Sequence, residues 1–242
     1  MAQGAIASLQ RKATALRPIS LTKADLEMHP KLWMLAFSEQ DAAWLAAFGY
    51  PSMNEEATYD NATVEQLRAL VDSGDQRARI NLGLKMAETG LKAKDATAVQ
   101  KAGIEIGRAL VEGGPYEAAK AGASLSAFSK AARDLGDIDS ATKQAVQDSL
   151  VPYYELARGL SGAYGDYAAT RLFNSAPGIG HYFGIPATAA NSNGTPMANL
   201  GYLNRARIRA GLTPYTFDPR PAPPNGSGDV LRIESTNNVY IR

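Results

Sequence analysis

Proline divides this chain into two parts with different structural potential. Five of its 13 prolines lie within residues 1–176, whereas eight lie within 177–242. Because proline has no amide hydrogen to donate and its ring clashes with the preceding helical turn, it is rare in helix interiors. The sequence therefore predicts an N-terminal tail over 1–20, a helical repeat-like domain over 21–175 and an irregular, Pro/Gly-rich extension over 176–242.

Local patterns mark several helix starts inside the helical domain. Ser38 is followed three residues later by Asp41, which is typical of a helix N-terminus. Glu55 and Glu56 are adjacent acids, and negative charge is favoured near the start of a helix. Thr63 begins a further helix whose apolar residues recur at spacings of three and four, which places them on one stripe.

A turn followed by a helix with small residues begins at Gly74–Asp75. The glycine turns the chain, and the aspartate side chain can cap the next helix. Ala78, Leu82 and Met86 are four residues apart and therefore share one helical face. Gly83 has no side chain, so we expect a neighbouring helix to approach it closely.

Weaker copies of this string occur at 114–118, with small residues at 122–123, and at 165–169 and 136–137. Together the strings resemble the Sel-like subclass of tetratricopeptide-related helical repeats, with one strong repeat and two or three degenerate ones. The resemblance covers about residues 60–175. It implies a mainly α fold: a short α-solenoid of antiparallel helix pairs that offers a concave binding surface. A generic helical bundle, in which Gly-Asp turns only separate the helices, is the alternative.

The core of the helical domain must come from few large residues. The stretch 87–145 is rich in alanine, which favours helix but buries little apolar surface. The large apolar residues in and beside it are Leu84, Ile104, Ile106, Leu110, Leu125, Phe128 and Leu135, and we expect them to be buried. Trp33 and Trp44 lie in apolar helical stretches and are predicted to be buried too.

The extension contains one unusual glycine-rich string, Gly178–Gly184. Its third glycine is one place late and no strand precedes it, so it departs from a phosphate-binding loop. A turn that packs aromatic residues on the helices is the favoured interpretation. In the alternative, His181 and Tyr182 form an acid–base pair in a pocket between the helical body and the extension. Three arginines would line that pocket: Arg205, Arg207 and Arg209.

The rest of the extension permits several further interpretations. Arg205 and Arg209 share a helical face, which either clamps an acidic partner or a phosphate or is simply solvated. Residues 218–224 are proline-rich and should be extended. Residues 230–241 alternate like a small β-hairpin, which must pack on the helices or on a partner because a lone hairpin is marginally stable. The whole extension would also serve as an intramolecular strap over the last repeat.

Composition excludes several classes of chemistry. The chain has no cysteine, so disulfides, thiolate metal sites and a cysteine nucleophile are excluded. It has only two histidines, and we expect neither a metal nor another cofactor. The net charge of +1 offers no field for nucleic acid. No apolar run reaches the roughly 20 residues of a membrane span. The expected protein is soluble, either cytoplasmic or, if a leader has been removed, periplasmic or secreted.

These patterns favour a non-catalytic protein–protein interaction module. The family resemblance implies an adaptor or a bacterial accessory or immunity-type inhibitor that binds another protein through the concave helical face. The residues predicted to contact that partner are Arg77, Tyr116, Lys120, Tyr167 and Arg171. The alternative is a hydrolase or small-ligand-binding protein that uses the pocket containing His181 and Tyr182.

Overall fold

The computed structural model describes residues 34, 36, 38–132, 138–175, 179–182 and 196–221. The predicted burial of Trp33 and Leu135, the repeat copy at 136–137 and the hairpin at 230–241 lie outside these residues. The chain divides into two compact units, one of residues 1–53 with 221–242 and one of residues 54–220. Residues 196–220 therefore belong to the same unit as most of the helices.

The first unit contains helix α1, Glu39–Ala47. The Ser38 hydroxyl accepts a hydrogen bond from the amide of Asp41 at 3.1 Å, so the predicted N-terminal cap is confirmed. Trp44 is buried, as predicted, and its ring lies 4.7 Å from that of Phe48 and 5.7 Å from that of Tyr50. Trp44 thus packs against two aromatic residues that directly follow the helix.

The remaining helices follow in close succession, and the described residues contain no strand. They are α2 (Met53–Asn61), α3 (Val64–Asp72), α4 (Gln76–Ala93), α5 (Ala96–Glu112), α6 (Pro115–Ala132), α7 (Ser140–Ser149), α8 (Val151–Ala163), α9 (Tyr167–Ser175), α10 (Ile179–Tyr182) and α11 (Pro196–Arg209). The prediction of a mainly α fold is therefore confirmed for the part of the chain described.

Side-chain caps set where several of these helices begin. Thr63 and Gln66 form a reciprocal capping box at the start of α3. Asp75, Asp95 and Asp139 each accept a hydrogen bond from a first-turn amide of α4, α5 and α7. The predicted starts at Thr63 and Asp75 are thus confirmed, and both follow from the local sequence alone.

Small residues allow close packing between helices. A Cβ atom at Gly83 of α4 would lie 2.8 Å from Ile106 Cγ1 and 2.9 Å from Ile106 N on α5, closer than real Cβ contacts. The predicted close approach at Gly83 is confirmed. At Gly122 of α6 a Cβ would lie 2.5 Å from the ring of Phe173 on α9. The glycine of the weaker repeat copy therefore has a similar packing role.

The expected core is largely present, with one error. Leu84, Ile106, Leu110 and Leu125 are buried, and Phe128 is partly buried. Ile104, by contrast, is 54% exposed, so its predicted burial is wrong. The buried positions of α5 recur at spacings of three and four through Ile106. Ile104 is two residues away, about 200° around the helix, and faces outward.

Packing in the second unit joins helices that are neighbours in sequence and helices that are distant. Helix α4 packs on α3, α5 and α6, and α5 also packs on α7. Helix α6 is central, because it contacts α4, α8, α9 and α10. Helix α11 returns to pack on α8 and α5. No helix in the described ranges is long and apolar enough to cross a membrane.

Candidate functional site

The residues predicted to bind a partner lie in different environments. Tyr116 and Lys120 on α6 are both buried, so they belong to the interior of the helical body. Arg77 is at the start of α4 with a third of its side chain exposed. Tyr167 begins α9 and is partly buried; Arg171 lies on the same helix. These five residues do not form one continuous exposed surface.

Tyr116 and Lys120 instead belong to a polar cluster inside the second unit. Three helices each contribute two side chains that are four residues apart, and such pairs share one helical face. The members of the polar cluster are Glu56 and Asp60 on α2, Asn81 and Lys85 on α4, and Tyr116 and Lys120 on α6. This arrangement joins α2 to both other helices.

Glu56 is the centre of the polar cluster. The Lys120 ammonium contacts one of its carboxylate oxygens and also lies 2.8 Å from Asp60 Oδ1. The Tyr116 hydroxyl donates to the other oxygen of Glu56 at 2.8 Å. Asn81 Nδ2 in turn donates to the Tyr116 hydroxyl at 3.1 Å. Both carboxylate oxygens of a fully buried side chain are therefore satisfied.

The cluster keeps its tyrosine protonated. Burial raises the pKa of Tyr116 well above its ordinary value, and the charge of Glu56 raises it further. The hydroxyl therefore remains a donor to Glu56 at any physiological pH. A buried charge that loses its partner typically costs about 3–5 kcal/mol. The geometry thus fits a buried polar contact that holds the three helices together rather than a binding surface.

Arg77 lies beside a second polar group at the start of α4. The Tyr59 hydroxyl donates to Asp75 Oδ2 at 2.6 Å. Burial and this hydrogen bond raise the pKa of Tyr59 to about 12. The Arg77 guanidinium lies 5.8 Å from the centre of the Tyr59 ring and 3.8 Å from Glu55 Oε1. Arg77 is therefore already engaged with α2.

The arginines of α11 separate onto two faces. Arg207 Nη1 donates to three carbonyl oxygens at the end of α5, those of Val111 at 2.8 Å, Glu112 at 3.1 Å and Gly113 at 2.9 Å. A cation at a helix C-terminus is favoured by the unpaired carbonyls and the helix dipole. Arg207 therefore attaches α11 to the helical body.

Residues 210–220, called the strap from here on, follow α11 as a turn at 210–211 and then a segment without regular secondary structure. Asn204 on α11 exchanges two hydrogen bonds with the backbone of Tyr215, one to its carbonyl oxygen at 3.0 Å and one from its amide at 2.7 Å. The Tyr215 ring packs edge-on against that of Tyr164, with the centroids 4.4 Å apart. Arg207 Nε also donates to the carbonyl of Thr213 at 2.9 Å. The strap is thus held to both α11 and the end of α8.

The strap ends in a fully buried ion pair. Arg220 Nη1 lies 3.1 Å from Asp166 Oδ1, and neither side chain is exposed. Asp166 also caps α9, because the same oxygen accepts from the amide of Ala169 at 3.1 Å. Gly165 has φ +72°, and a Cβ there would lie 2.6 Å from Pro219 Cβ. The glycine both turns the chain and makes room for the strap.

The opposite side of α11 is exposed. Leu200 and Leu203 face the interior. The exposed residues are Tyr202, Arg205, Ile208 and Arg209, which we call the α11 outer face. Tyr202 is 61% and Ile208 59% exposed, and Phe217 of the strap is 45% exposed. The prediction that Arg205 and Arg209 share a face is confirmed, whereas Arg207 points the other way.

The predicted pocket is only partly described. His181 and Tyr182 belong to the short helix α10, but their side chains lie outside what is described. Arg205 and Arg209 do not converge with Arg207, since they occupy opposite faces of α11. Within the described ranges, no group of three or more acidic or histidine side chains is arranged to hold a metal ion.

No protein-family model, no curated protein and no solved structure matches this chain. The resemblance to Sel-like repeats therefore stays a prediction.

Proposed function

We propose that this protein is a non-catalytic protein-interaction module that presents the α11 outer face to another protein. The observation that carries the proposal is the exposure of Tyr202 and Ile208 beside Arg205 and Arg209 on a single helical face. Tyrosine and arginine are enriched among the residues that dominate binding energy at protein interfaces. Tyr202 and Ile208 are six residues apart, and exposed apolar side chains bordered by charged ones are also a feature of interaction surfaces.

The attachment of α11 supports this role. Arg207 binds the end of α5, and Asn204 binds the strap, both from the inner side of the helix. The outer face is therefore carried by a helix whose position is already set. Preorganised surfaces lose less conformational entropy on binding, which favours affinity.

A concave face that includes Arg77, Tyr167 and Arg171 is the second surface proposed for a partner. A partner that bound Arg77 there would compete with its contacts to Tyr59 and Glu55. Adaptor, accessory and immunity-type roles rest on the family resemblance alone. The pocket alternative has no comparable support, since Arg207 is occupied by backbone carbonyls.

The test uses the full chain, because ending it at Ser175 would remove α11 and the buried Arg220 and so disturb the body. The immobilised protein is exposed to native extract, and any retained protein is purified and recombined with it. We expect a stoichiometric complex by size-exclusion chromatography that the double variant Y202A/I208A weakens. The matched control is I104A, which removes an equally exposed isoleucine from α5.

A recombined complex that Y202A/I208A leaves unchanged would move the site away from the α11 outer face. Turnover of a small molecule by the isolated chain would contradict a non-catalytic role altogether.

A further inference from the structure

We infer that the α11 outer face binds an acidic protein segment that also carries apolar side chains. This inference rests on the proposed function and specifies the chemistry of the partner. It depends on the charge of α11 and on the spacing of its exposed residues. It also depends on the absence of ion pairs to Arg205 and Arg209 within the described part of the chain.

Helix α11 carries positive charge and no negative charge. Its 14 residues include three arginines and no acidic residue. Arg207 is used internally, which leaves Arg205 and Arg209 as the exposed charges. In the part of the chain that the structure describes, neither of these two guanidinium groups forms an ion pair. Guanidinium groups bind carboxylates through two parallel hydrogen bonds, so carboxylates are their natural complement in a protein partner.

The spacing of the outer face favours a partner with a helical or extended acidic segment. Tyr202, Arg205 and Arg209 lie at positions i, i+3 and i+7, so they follow one line along the helix, and Ile208 lies beside that line. Two charges one turn apart, with apolar side chains beside them, match a segment in which acidic and apolar residues are also one turn apart. The apolar side chains would supply affinity, and the charges would supply orientation and speed of association.

A protein partner fits these observations better than a nucleic acid or a membrane. Binding to a nucleic acid depends on neutralising several phosphates, and the outer face has two cations on a chain of net charge +1. The aliphatic side chain of Ile208 offers no stacking surface for a base. An interfacial membrane helix needs a continuous apolar face, whereas the apolar face of α11 is buried through Leu200 and Leu203.

The test uses defined probes with the full chain. One labelled peptide of about 18 residues, long enough to form a helix in isolation, carries Glu residues in i, i+4 pairs and Leu residues between them. A second has Lys in place of each Glu, and a third has Ser in place of each Leu. We expect the acidic, leucine-containing peptide to bind more tightly than either other peptide, with an affinity that falls as the salt concentration rises.

Charge reversal locates the site. The double variant R205E/R209E should lower the affinity for the acidic peptide about tenfold or more, since each 1.4 kcal/mol corresponds to a factor of ten. The matched control is K101E/K143E, which makes the same change in net charge at two exposed lysines of α5 and α7. We expect the control to retain most of the affinity. Circular dichroism checks that all variants are folded.

Three results would overturn the inference. The first is equal loss in the two double variants, which would reflect net charge alone. The second is tighter binding to single-stranded DNA or to phosphatidylserine vesicles that depends on the same arginines. The third is no preference for the acidic peptide although the recombined partner complex still depends on Tyr202 and Ile208; the proposed function would then stand without this partner chemistry. If that complex too is insensitive to Y202A/I208A, the proposed function fails as well.

Discussion

Two regions of the second unit bury charged groups, and they differ in how the burial is supported. In the polar cluster, the Lys120 ammonium contacts two carboxylates, and Glu56 also accepts a hydrogen bond from the Tyr116 hydroxyl. Three helices converge there. At the end of the strap, Arg220 forms a fully buried ion pair with Asp166, which also caps α9. The cluster therefore joins three helices, whereas the strap pair attaches a segment that lies outside the helices.

This difference predicts how each region fails. If a partner is removed from the polar cluster, we expect the remaining charge to stay buried, because side chains from three helices meet there. If Arg220 is removed, the strap can lift and let water reach Asp166. Removal of one charged partner should therefore lower the stability of the whole fold when it is made in the polar cluster. The same removal at the end of the strap should have a largely local effect.

The largest effect is expected for Lys120→Met. The substitution keeps much of the side-chain volume but leaves Glu56 buried without its ammonium partner. We expect the free energy of unfolding to fall by about 3–5 kcal/mol in urea denaturation. Lys143→Met, at an exposed position of α7, is the matched control and should change it by less than about 0.5 kcal/mol. The double variant E56Q/K120M should lose less than the sum of its single variants.

A smaller effect is expected for Arg220→Met. Because the strap can open, the unfolding free energy should fall by about 1–3 kcal/mol, the cost of an unsatisfied polar group rather than of a trapped charge. Hydrogen exchange should increase mainly in residues 210–220, with α4 and α6 unchanged. Equal acceleration of exchange in α4 would show that the strap unfolds together with the helices. That result would contradict the expected difference between the strap and the polar cluster.

Tyr116→Phe separates the contribution of the Tyr116 hydroxyl from that of the Lys120 ammonium in the polar cluster. The substitution removes one donor to Glu56 and the acceptor for Asn81 but keeps the Lys120 contact. We expect a loss of about 1–2 kcal/mol, in the range of a buried hydrogen bond to a charged group. A loss as large as that of Lys120→Met would show that the hydroxyl, not the ammonium, stabilises Glu56.

The smallest effect concerns Glu117, which lies on α6 within the electrostatic reach of both Arg77 and Arg207. Burial raises the pKa of Glu117 above its ordinary value, although the amide of Gly114 donates to it at 2.7 Å. The folded state therefore binds this proton more tightly than the unfolded state, and stability falls as pH rises through the window from the unfolded pKa, near 4.3, to the folded one. Glu117→Gln removes this dependence, so the variant should gain stability relative to the parent between about pH 4 and pH 7. Urea denaturation at both pH values measures the difference; a variant that loses relative stability as pH rises would contradict the assignment.

Local sequence patterns predicted several helix starts and one close helix contact. They did not predict the contacts between residues that are distant in sequence. The caps at Thr63 and Asp75 and the close approach at Gly83 depend on residues within one or two helical turns, so the sequence contains their signal. The same local reasoning assigned Ile104 to the core, because it counted apolar residues without their positions around α5.

The buried ion pairs had no such signal. Glu56 was interpreted as an acid near a helix start, although its partners are 60 and 64 residues away at Tyr116 and Lys120. Asp166 and Arg220 are 54 residues apart. The Gly-Asp pair at 165–166 predicted a cap, which the structure contains, but nothing local indicated that an arginine in a proline-rich stretch would join it. The separation of Arg207 from Arg205 and Arg209 did follow from helical periodicity, once α11 was known to pack on one side.

The proposed function requires that a partner protein covers the α11 outer face. Hydroxyl-radical footprinting of the full chain, alone and in complex with the recombined partner, measures it directly, because oxidation reports the exposure of each side chain. We predict that complex formation protects Tyr202 and Ile208 while Ile104 on α5 is oxidised to the same extent as before. Protection of Ile104 with Tyr202 unchanged would contradict it and place the partner on the helical body.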